Sequence, residues 1–443
     1  MKKQCISLVI VLFAITTFAQ DIVKDKTIKY RRSSLHTMLI ESGNFPNKDI
    51  VMKAYSDASF PSNYNEHTIE VKSFDPAQFA ITDEDRNAAG VEKSELGDAL
   101  SGALADVTGG IVDKDAKDMP VVLKKYIETN KIGNKLVAKW YGRNPATGAF
   151  NMNLIQERGQ YDASQMQVSV AKGSAVGTAA LGDAGEDLIQ NTFVVFSRMN
   201  FVPNEIVAAA IRDAAKEVAA KNTSGFALTL MEKGIDAVYN KTKEGYSVWT
   251  TSYLYKLNWN DSIQSTFYND MYFDSTSVDQ KKKDLFENSN LFSLEYVGTE
   301  KSSSLVTFSL KKADKERTEE QVIQKSTVRN VDAVFAKLQK KYEIFKPKVP
   351  LYTGDPITAK IGMKEGLEGG EKFEVLEQVQ DQATGKVTYK KVGTISVEKG
   401  KVWDNRFNLA DEKPEEGKEV IDRTTFSGGS GYYPGMLIRQ IKK

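Results

Sequence analysis

Residues 161–201 read YDASQMQVSVAKGSAVGTAALGDAGEDLIQNTFVVFSRMNF, a helix pattern rich in small residues that runs into an apolar strand from Thr192 to Phe201. Ala163, Ala171, Ser174, Ala175, Gly177, Ala179, Ala180 and Gly182 give that helix a thin surface. A thin surface lets a helix lie close against a sheet, although each interior glycine costs about 1 kcal/mol relative to alanine. Only close packing returns that cost. The run Asp183-Ala184-Gly185-Glu186-Asp187 offers a place to split the segment into two helices. Either way the unit reads as helix on sheet.

Downstream, Ile206, Val207, Ala210, Ile211, Ala214 and Val218 recur at helical spacing, and Phe226 to Tyr239 continue as a second helix after Gly225. The period then switches to two. Trp249, Tyr253, Tyr255, Leu257 and Trp259 share one strand face, with Thr250, Ser252, Lys256 and Asn258 opposite. Ser265–Phe273 is expected to pair with it across a turn at 258–262, giving a hairpin over 247–273. Phe292–Tyr296 and Val306–Leu310 read as two further strands, and Glu319–Tyr342 as a long polar helix. Upstream, Met119-Pro120 opens a helix with proline in its first turn. Lys135–Gly142 and Phe150–Arg158 alternate as two strands joined by the Pro- and Gly-containing loop 143–148. Residues 20–95 are the least regular part, with one short helix at Asp49–Tyr55, and read as a lead-in packing on the body. Strands and helices are mixed, with several hairpins, so the expected class is α+β rather than parallel α/β.

Pro347 and Pro350 mark a boundary beyond which helix signals vanish. Short strands are expected at Thr358–Met363, Lys372–Gln378, Val387–Val392, Gly393–Val397, Val402–Phe407 and Met436–Ile441, with a hairpin loop at Gln382–Gly385. Their close spacing predicts a small all-β barrel. The stretches Gly370-Glu371-Lys372-Phe373-Glu374-Val375, Lys391-Val392-Gly393-Thr394-Ile395-Ser396-Val397 and Pro434-Gly435-Met436 carry a resemblance. Over about ninety residues this part resembles the SH3-like barrel that ends flagellar assembly protein T and some other bacterial envelope proteins. The resemblance implies a structural envelope module and transfers no functional residue. The expected organisation is a leader at 1–19, the lead-in at 20–95, a central α+β domain at 96–346 and the barrel at 351–443.

The leader follows from Lys2 and Lys3, the apolar run Ile6–Phe18 and the small residues Thr17 and Ala19 at −3 and −1 of a cleavage site before Gln20. The run is short for a membrane span, and no later stretch approaches eighteen apolar residues, so no transmembrane helix is expected. Cys5, the single cysteine of 443 residues, precedes the apolar core, whereas a lipoprotein cysteine follows it. An exported chain of this size without disulfides suits a bacterial periplasm or cell surface. The 41% hydrophobic and 27% charged content is that of a globular protein, and a net charge of +1 gives no field for nucleic acid.

Chemistry is sparse. His36 and His67 are the two histidines, so a Ser-His-Asp triad would have to use one of them, and no cysteine-histidine zinc site can be built. Gly173-Ser174-Ala175-Val176-Gly177 has its serine one place early for a nucleophile elbow. Asp113-Lys114-Asp115-Ala116-Lys117-Asp118 has alternate oxygen ligands, but its lysines neutralise them and the turn glycine is missing. Glu157 and Asp162 beside Arg158 are the place where two carboxylates would act as acid and base. Gly366, Gly369 and Gly370 form no phosphate cradle. Catalytic, cofactor and metal residues are therefore all read as none. The aromatic face Trp249, Tyr253, Tyr255 and Trp259 has three readings: buried core, ligand or partner surface, or membrane hairpin. Ser262 and Ser275 follow aspartates in Asp-Ser-apolar and Asp-Ser-Thr triplets that match an O-glycosylation pattern, the first at an expected hairpin tip.

The expected function is a non-enzymatic, exported component of a Gram-negative envelope, binding envelope proteins or surface glycan. The alternatives are a carboxylate-based hydrolase and an oligomeric outer-membrane pore inserting the 247–273 hairpin. Export predicts cleavage between Ala19 and Gln20. The intact mass of protein recovered from the envelope fraction should be that of a chain beginning at Gln20, and a chain retaining Met1 overturns the leader.

Overall fold

The apolar run at 192–201 is indeed a strand, and it lies inside a sheet covered on both faces. The computed structural model describes residues 30–58, 60–88, 118–162, 188–308, 316–380, 387–407 and 421–441. The small-residue helix expected at 163–187, the serine at 174, the leader and most of the acidic run at 113–118 lie outside them.

In chain order the body comprises β1 (Ser34–Ile40), α1 (Lys48–Asp57), the short strands β2 (Asn65–Glu66) and β3 (Ser73–Phe74), α2 (Asp83–Ala88), α3 (Met119–Thr129), α4 (Ile132–Trp140) and α5 (Asn153–Asp162). It continues with β4 (Thr192–Pro203), α6 (Asn204–Asn222), α7 (Gly225–Thr242), β5 (Gly245–Leu257), α8 (Asp261–Thr266), α9 (Gln280–Asn288), β6 (Leu294–Thr307) and α10 (Glu319–Lys341). The sheet runs β2-β1-β4-β5-β6, with β3 also on β1. β1 is parallel to β2, β3 and β4, while β4, β5 and β6 pair antiparallel. The lead-in supplies an inner strand of this sheet: Ser34 to Ile40 pair residue by residue with Thr192 to Arg198.

Alternation sorts these strands into two cores. Leu35, Leu39, Phe193, Val195, Val248 and Leu254 face α1 and α10, where Val51, Tyr55, Val331, Phe335 and Leu338 meet them. Met38, Val194, Phe196, Tyr253 and Tyr255 face the other way, onto Leu123, Tyr126, Ile132 and Leu136 of α3 and α4. A third cluster continues this face past the strand end, joining Trp140, Tyr141, Leu257, Trp259, Phe267 and Phe292. The fold is a mixed helix-and-sheet body, α+β as expected.

Several local readings change. The expected strands at 135–142 and 150–158 are the helices α4 and α5. Ile132, Leu136, Val137 and Trp140 are all fully buried, and their spacing of four, one and three is one helical stripe. Ser265–Phe273 is no strand either. The Asn260 side chain accepts from the amides of Ser262 and Ile263, both at 3.1 Å, an N-cap that sends the chain into α8 and a π-turn to Met271. The 247–273 hairpin is therefore not formed, and β5 takes β4 and β6 as partners instead. Phe292–Tyr296 and Val306–Leu310 are not two strands; one fourteen-residue strand, β6, spans most of that region.

The cover of the aromatic strand also differs from what the chain order suggests. α6 and α7, its neighbours in the chain, do not lie over it: they pack on each other and stand off the end of the β4–β5 ladder, and α7 has no buried residue. Asn204 pins their base: its Nδ2 donates to the Val306 carbonyl at 3.1 Å and its Oδ1 accepts from Ser247 at 2.8 Å.

Beyond the boundary lie β7 (Val349–Gly354), β8 (Ile357–Ala359), β9 (Lys372–Gln380), β10 (Val387–Val397), β11 (Thr424–Ser427) and β12 (Leu437–Gln440). They close into an all-antiparallel barrel in the order β10-β11-β8-β7-β12-β9. Leu351, Ile357, Phe373, Val375, Ile395 and Phe426 fill it. The expected strands 387–392 and 393–397 are one strand with a bulge between Lys391 and Gly393. Val392 is the extra residue, and a Cβ on the neighbouring Gly393 would come within 1.9 Å of the Tyr432 hydroxyl, so a side chain there would have to displace the Tyr432 ring. Thr358–Met363 is strand only as far as Ala359 and then turns, while Val402–Phe407 contributes a single bridge, Trp403 to Gly362. β7 and β11 were not anticipated. The loop at 382–385 lies outside the described residues.

Tyr253 is 3% exposed, among Phe196, Tyr126 and their neighbours. Tyr253→Ala should cost about 3–5 kcal/mol in denaturant unfolding, whereas loss of less than about 1 kcal/mol would place Tyr253 outside the core.

Candidate functional site

A polar, enclosed place lies where the barrel meets α10. A capping box starts this helix: Thr318 Oγ1 accepts from the Gln321 amide at 3.3 Å and Gln321 Oε1 accepts from the Thr318 amide at 3.0 Å. Its apolar stripe faces the sheet, and Asp332, beside Val331, turns toward the barrel. There it meets a 3-10 turn at Met363–Glu365, with Lys364 Nζ 3.3 Å from Asp332 Oδ1. Asn405 locks that turn from the opposite side, its Oδ1 accepting from the Lys364 amide at 2.8 Å and its Nδ2 donating to Glu365 at 2.9 Å. Glu365 also accepts from the Gly362 amide at 2.7 Å.

Burial dominates the charges here. It pushes the Asp332 carboxyl up to about 6, against the downward pull of Lys364 and with a further upward push from Glu365. Burial likewise raises Glu365, against its hydrogen bonds to Asn405 and Gly362. Two raised carboxylates beside a lysine have the makings of an acid–base pair. The cavity between them, bordered by Ser62, Asp332, Phe335, Gln339, Lys364 and Glu365, measures about 10 Å³. That is room for one water molecule. Its chemistry is that of a charge-sensitive joint between body and barrel.

The residues singled out in the sequence fall elsewhere. His67 is fully buried: its Nε2 donates to the Leu136 carbonyl at 2.9 Å, and its Nδ1 accepts from Arg158 Nη1 at 3.0 Å. Both ring nitrogens are committed, so it has none to offer a serine. Arg158 also donates to Ser34 Oγ at 3.0 Å and to the Glu66 carbonyl at 2.6 Å, and its guanidinium lies 4.5 Å over the Trp140 ring. It braces β1, β2 and α4, while Glu157 points to solvent. The Asp162 side chain lies outside the described residues. His36 is fully buried on β1, and burial, with the ammoniums of Lys139 and Lys72, pushes it down to about 3. Asp118 pairs with Arg86 through two hydrogen bonds of 3.0 and 2.8 Å. Among the described residues no group of three or more potential metal ligands comes together.

Tyr253, Tyr255 and Trp259 are 3–5% exposed, so three of the four residues offered as a ligand surface are core; Trp249 alone is half-buried. Ser262 is exposed, but in the first turn of α8 rather than at a hairpin tip. Ser275 lies in an exposed turn in which Asp274 Oδ1 accepts from the Thr276 amide at 2.9 Å. Asp332, Lys364, Glu365 and Asn405 went unread in the sequence. The available signal was an aspartate set among Val328, Val331, Val334 and Phe335 on a helix otherwise polar outside its stripe. No protein-family model matches the chain, and no curated protein matches it.

Because Asp332 has its folded value raised from 3.8 to about 6, the folded state holds a proton there that the unfolded chain has released. This contribution is fully present below 3.8 and is lost as pH rises through about 6. Asp332→Asn should therefore gain stability relative to the parent as pH rises from about 4 to 7. A denaturant-unfolding series read at several pH values checks this, and a difference independent of pH overturns it.

Proposed function

We propose that the chain is an exported component of a bacterial envelope, acting by binding rather than by catalysis in the periplasm or at the outer membrane. The observation that carries this reading is the barrel fastened to the body along α10, with a water-sized gap where an enzyme's cleft is often found. A barrel held in fixed register on a larger body suits a scaffold that presents surfaces to envelope proteins or to surface glycan. The leader-like N-terminus and the resemblance of the barrel to envelope modules support the same compartment. Among the described residues no helix is long and apolar enough to cross a membrane. Ser262 and Ser275, both exposed, are the positions where such a protein would carry O-linked sugar.

A carboxylate-based hydrolase is the second reading, favoured by the raised Asp332–Glu365 pair. The pore reading loses its hairpin, since 261–271 is helical.

Affinity capture with the tagged full chain from solubilised envelope fractions separates these readings. A stoichiometric envelope protein, or retention on isolated surface glycan, is expected, and both should survive Asp332→Asn. Recovery of the protein in the cytoplasm, or a hydrolytic activity abolished by Asp332→Asn, overturns the binding reading.

A further inference from the structure

His67 and Arg158 meet in a way that only a neutral imidazole allows. A carbonyl accepts and a guanidinium donates, so the Leu136 carbonyl at 2.9 Å fixes the ring proton on Nε2, and Arg158 Nη1 at 3.0 Å fixes the lone pair on Nδ1. An imidazolium is a donor at both nitrogens. Protonation therefore sets an Nδ1–H against the Nη1–H of Arg158, and turning the ring over meets the same conflict. The ring is fully buried and stacks on Trp140 with centroids 4.8 Å apart, and the Arg158 guanidinium lies over the same indole. Two like charges in so dry a place are poorly screened.

The surrounding groups add to that conflict. Lys139 of α4 and His36 of β1 act on His67, and Lys139 and Lys72 act on His36. Glu66, exposed on β2, is a carboxylate that acts on Lys139. Burial first, then the Arg158 charge, hold His67 well below the ordinary histidine range. His36 offers the proton no better place, since it is fully buried and neither of its ring nitrogens has a hydrogen-bond partner.

Arg158 ties this ring to the edge of the sheet. The Asn65 and His67 amides donate inward to the Ser33 and Leu35 carbonyls at 2.8 and 2.9 Å, so the Glu66 carbonyl between them points outward. β2 stands at the end of the strand order. Arg158 Nη2 caps that outward carbonyl at 2.6 Å, and its Nη1 also donates to Ser34 Oγ at 3.0 Å. We infer that His67 and Arg158 form an acid-released latch: protonation of His67 expels the guanidinium, and α5 comes away from the sheet edge at β2. In the open form His67 is solvated and takes its proton at the ordinary 6.5. The closed form is held neutral well below that, so closure is favoured above 6.5 and lost as pH falls beneath it. For one histidine the open-to-closed ratio rises about 25-fold between pH 7 and pH 5.

Hydrogen exchange of the full chain, labelled at pH 7 and pH 5 for times scaled to the intrinsic rate, reads the opening of residues 153–162. Opening there should rise by that factor at the lower pH, with the barrel strands β9 and β10 unchanged. His67→Gln keeps a donor for Leu136 and an acceptor for Arg158 but takes up no proton, so its α5 should open equally at both pH values. Should that variant not fold, the parent decides alone. Its two histidines give separate ring signals in NMR of isotope-labelled histidine, and His67 should keep the signature of the Nε2–H tautomer in the closed form at pH 5. Three results overturn the inference. One is α5 opening that is the same at both pH values in the parent. Another is a rise that His67→Gln retains in full. The third is a His67 ring that titrates near its ordinary value while residues 153–162 stay protected, because the closed brace then accepts the proton.

Discussion

The structure depends on the antiparallel ladder between β4 and β5, eleven paired residues from Phe193–Lys256 to Pro203–Tyr246. Both strands carry large apolar side chains on both faces, so neither face can be left to water. Each buried aliphatic or aromatic side chain contributes roughly 1.5–3 kcal/mol, and those contributions are realised only if a helical layer lies on each side. α1 with α10 and α3 with α4 are those layers. Where the ladder carries polar groups inward they satisfy each other, as Ser197 and Ser252 do at 2.8 Å between hydroxyl oxygens.

α10 carries that constraint into the rest of the chain. Its 23 residues make a rod of about 35 Å, apolar where Val334, Phe335 and Leu338 meet the sheet and polar where Asp332 meets the barrel. Desolvating a carboxylate and an ammonium there costs about as much as their attraction returns. The joint is therefore a weak source of stability.

How far this was legible depended on the period of each segment. From Trp249 to Trp259 large side chains recur on one face and the strand was read correctly, but Val248 and Leu254 make the opposite face core as well. Val194, Val195 and Phe196 are buried on both sides and form an unbroken apolar run that announces a strand without saying what covers it. The strand reading of Lys135–Gly142 failed for the opposite reason: β-branched and aromatic residues in a short run resemble a strand, and only the spacing of 132, 136, 137 and 140 separates the two. At 258–263 one capping side chain, Asn260, decided between turn and helix. The Asp332 joint escaped because it is assembled from positions 332, 364, 365 and 405, whose proximity depends on how the barrel closes.

The helix pairs α3–α4 and α6–α7 show why composition alone did not tell cover from projection. Both carry apolar stripes, and both have a strand of the sheet nearby. What separates them is the chain that connects them to it. α6 begins at Asn204, the residue after β4 ends, and α7 ends at Thr242, three residues before β5 begins at Gly245. A helix turning back across a sheet face needs a connection of about 2–6 residues at the strand end, and α6 has none at Pro203. The pair must leave the sheet along the strand direction, with its stripe in solvent. α3 and α4 follow a long connection from β3 and precede another before β4, so they are free to settle on the face that Phe196 and Tyr253 present. The aromatic strand is thereby buried by helices distant in sequence, and the apolar stripe of the adjacent helices stays exposed among the described residues.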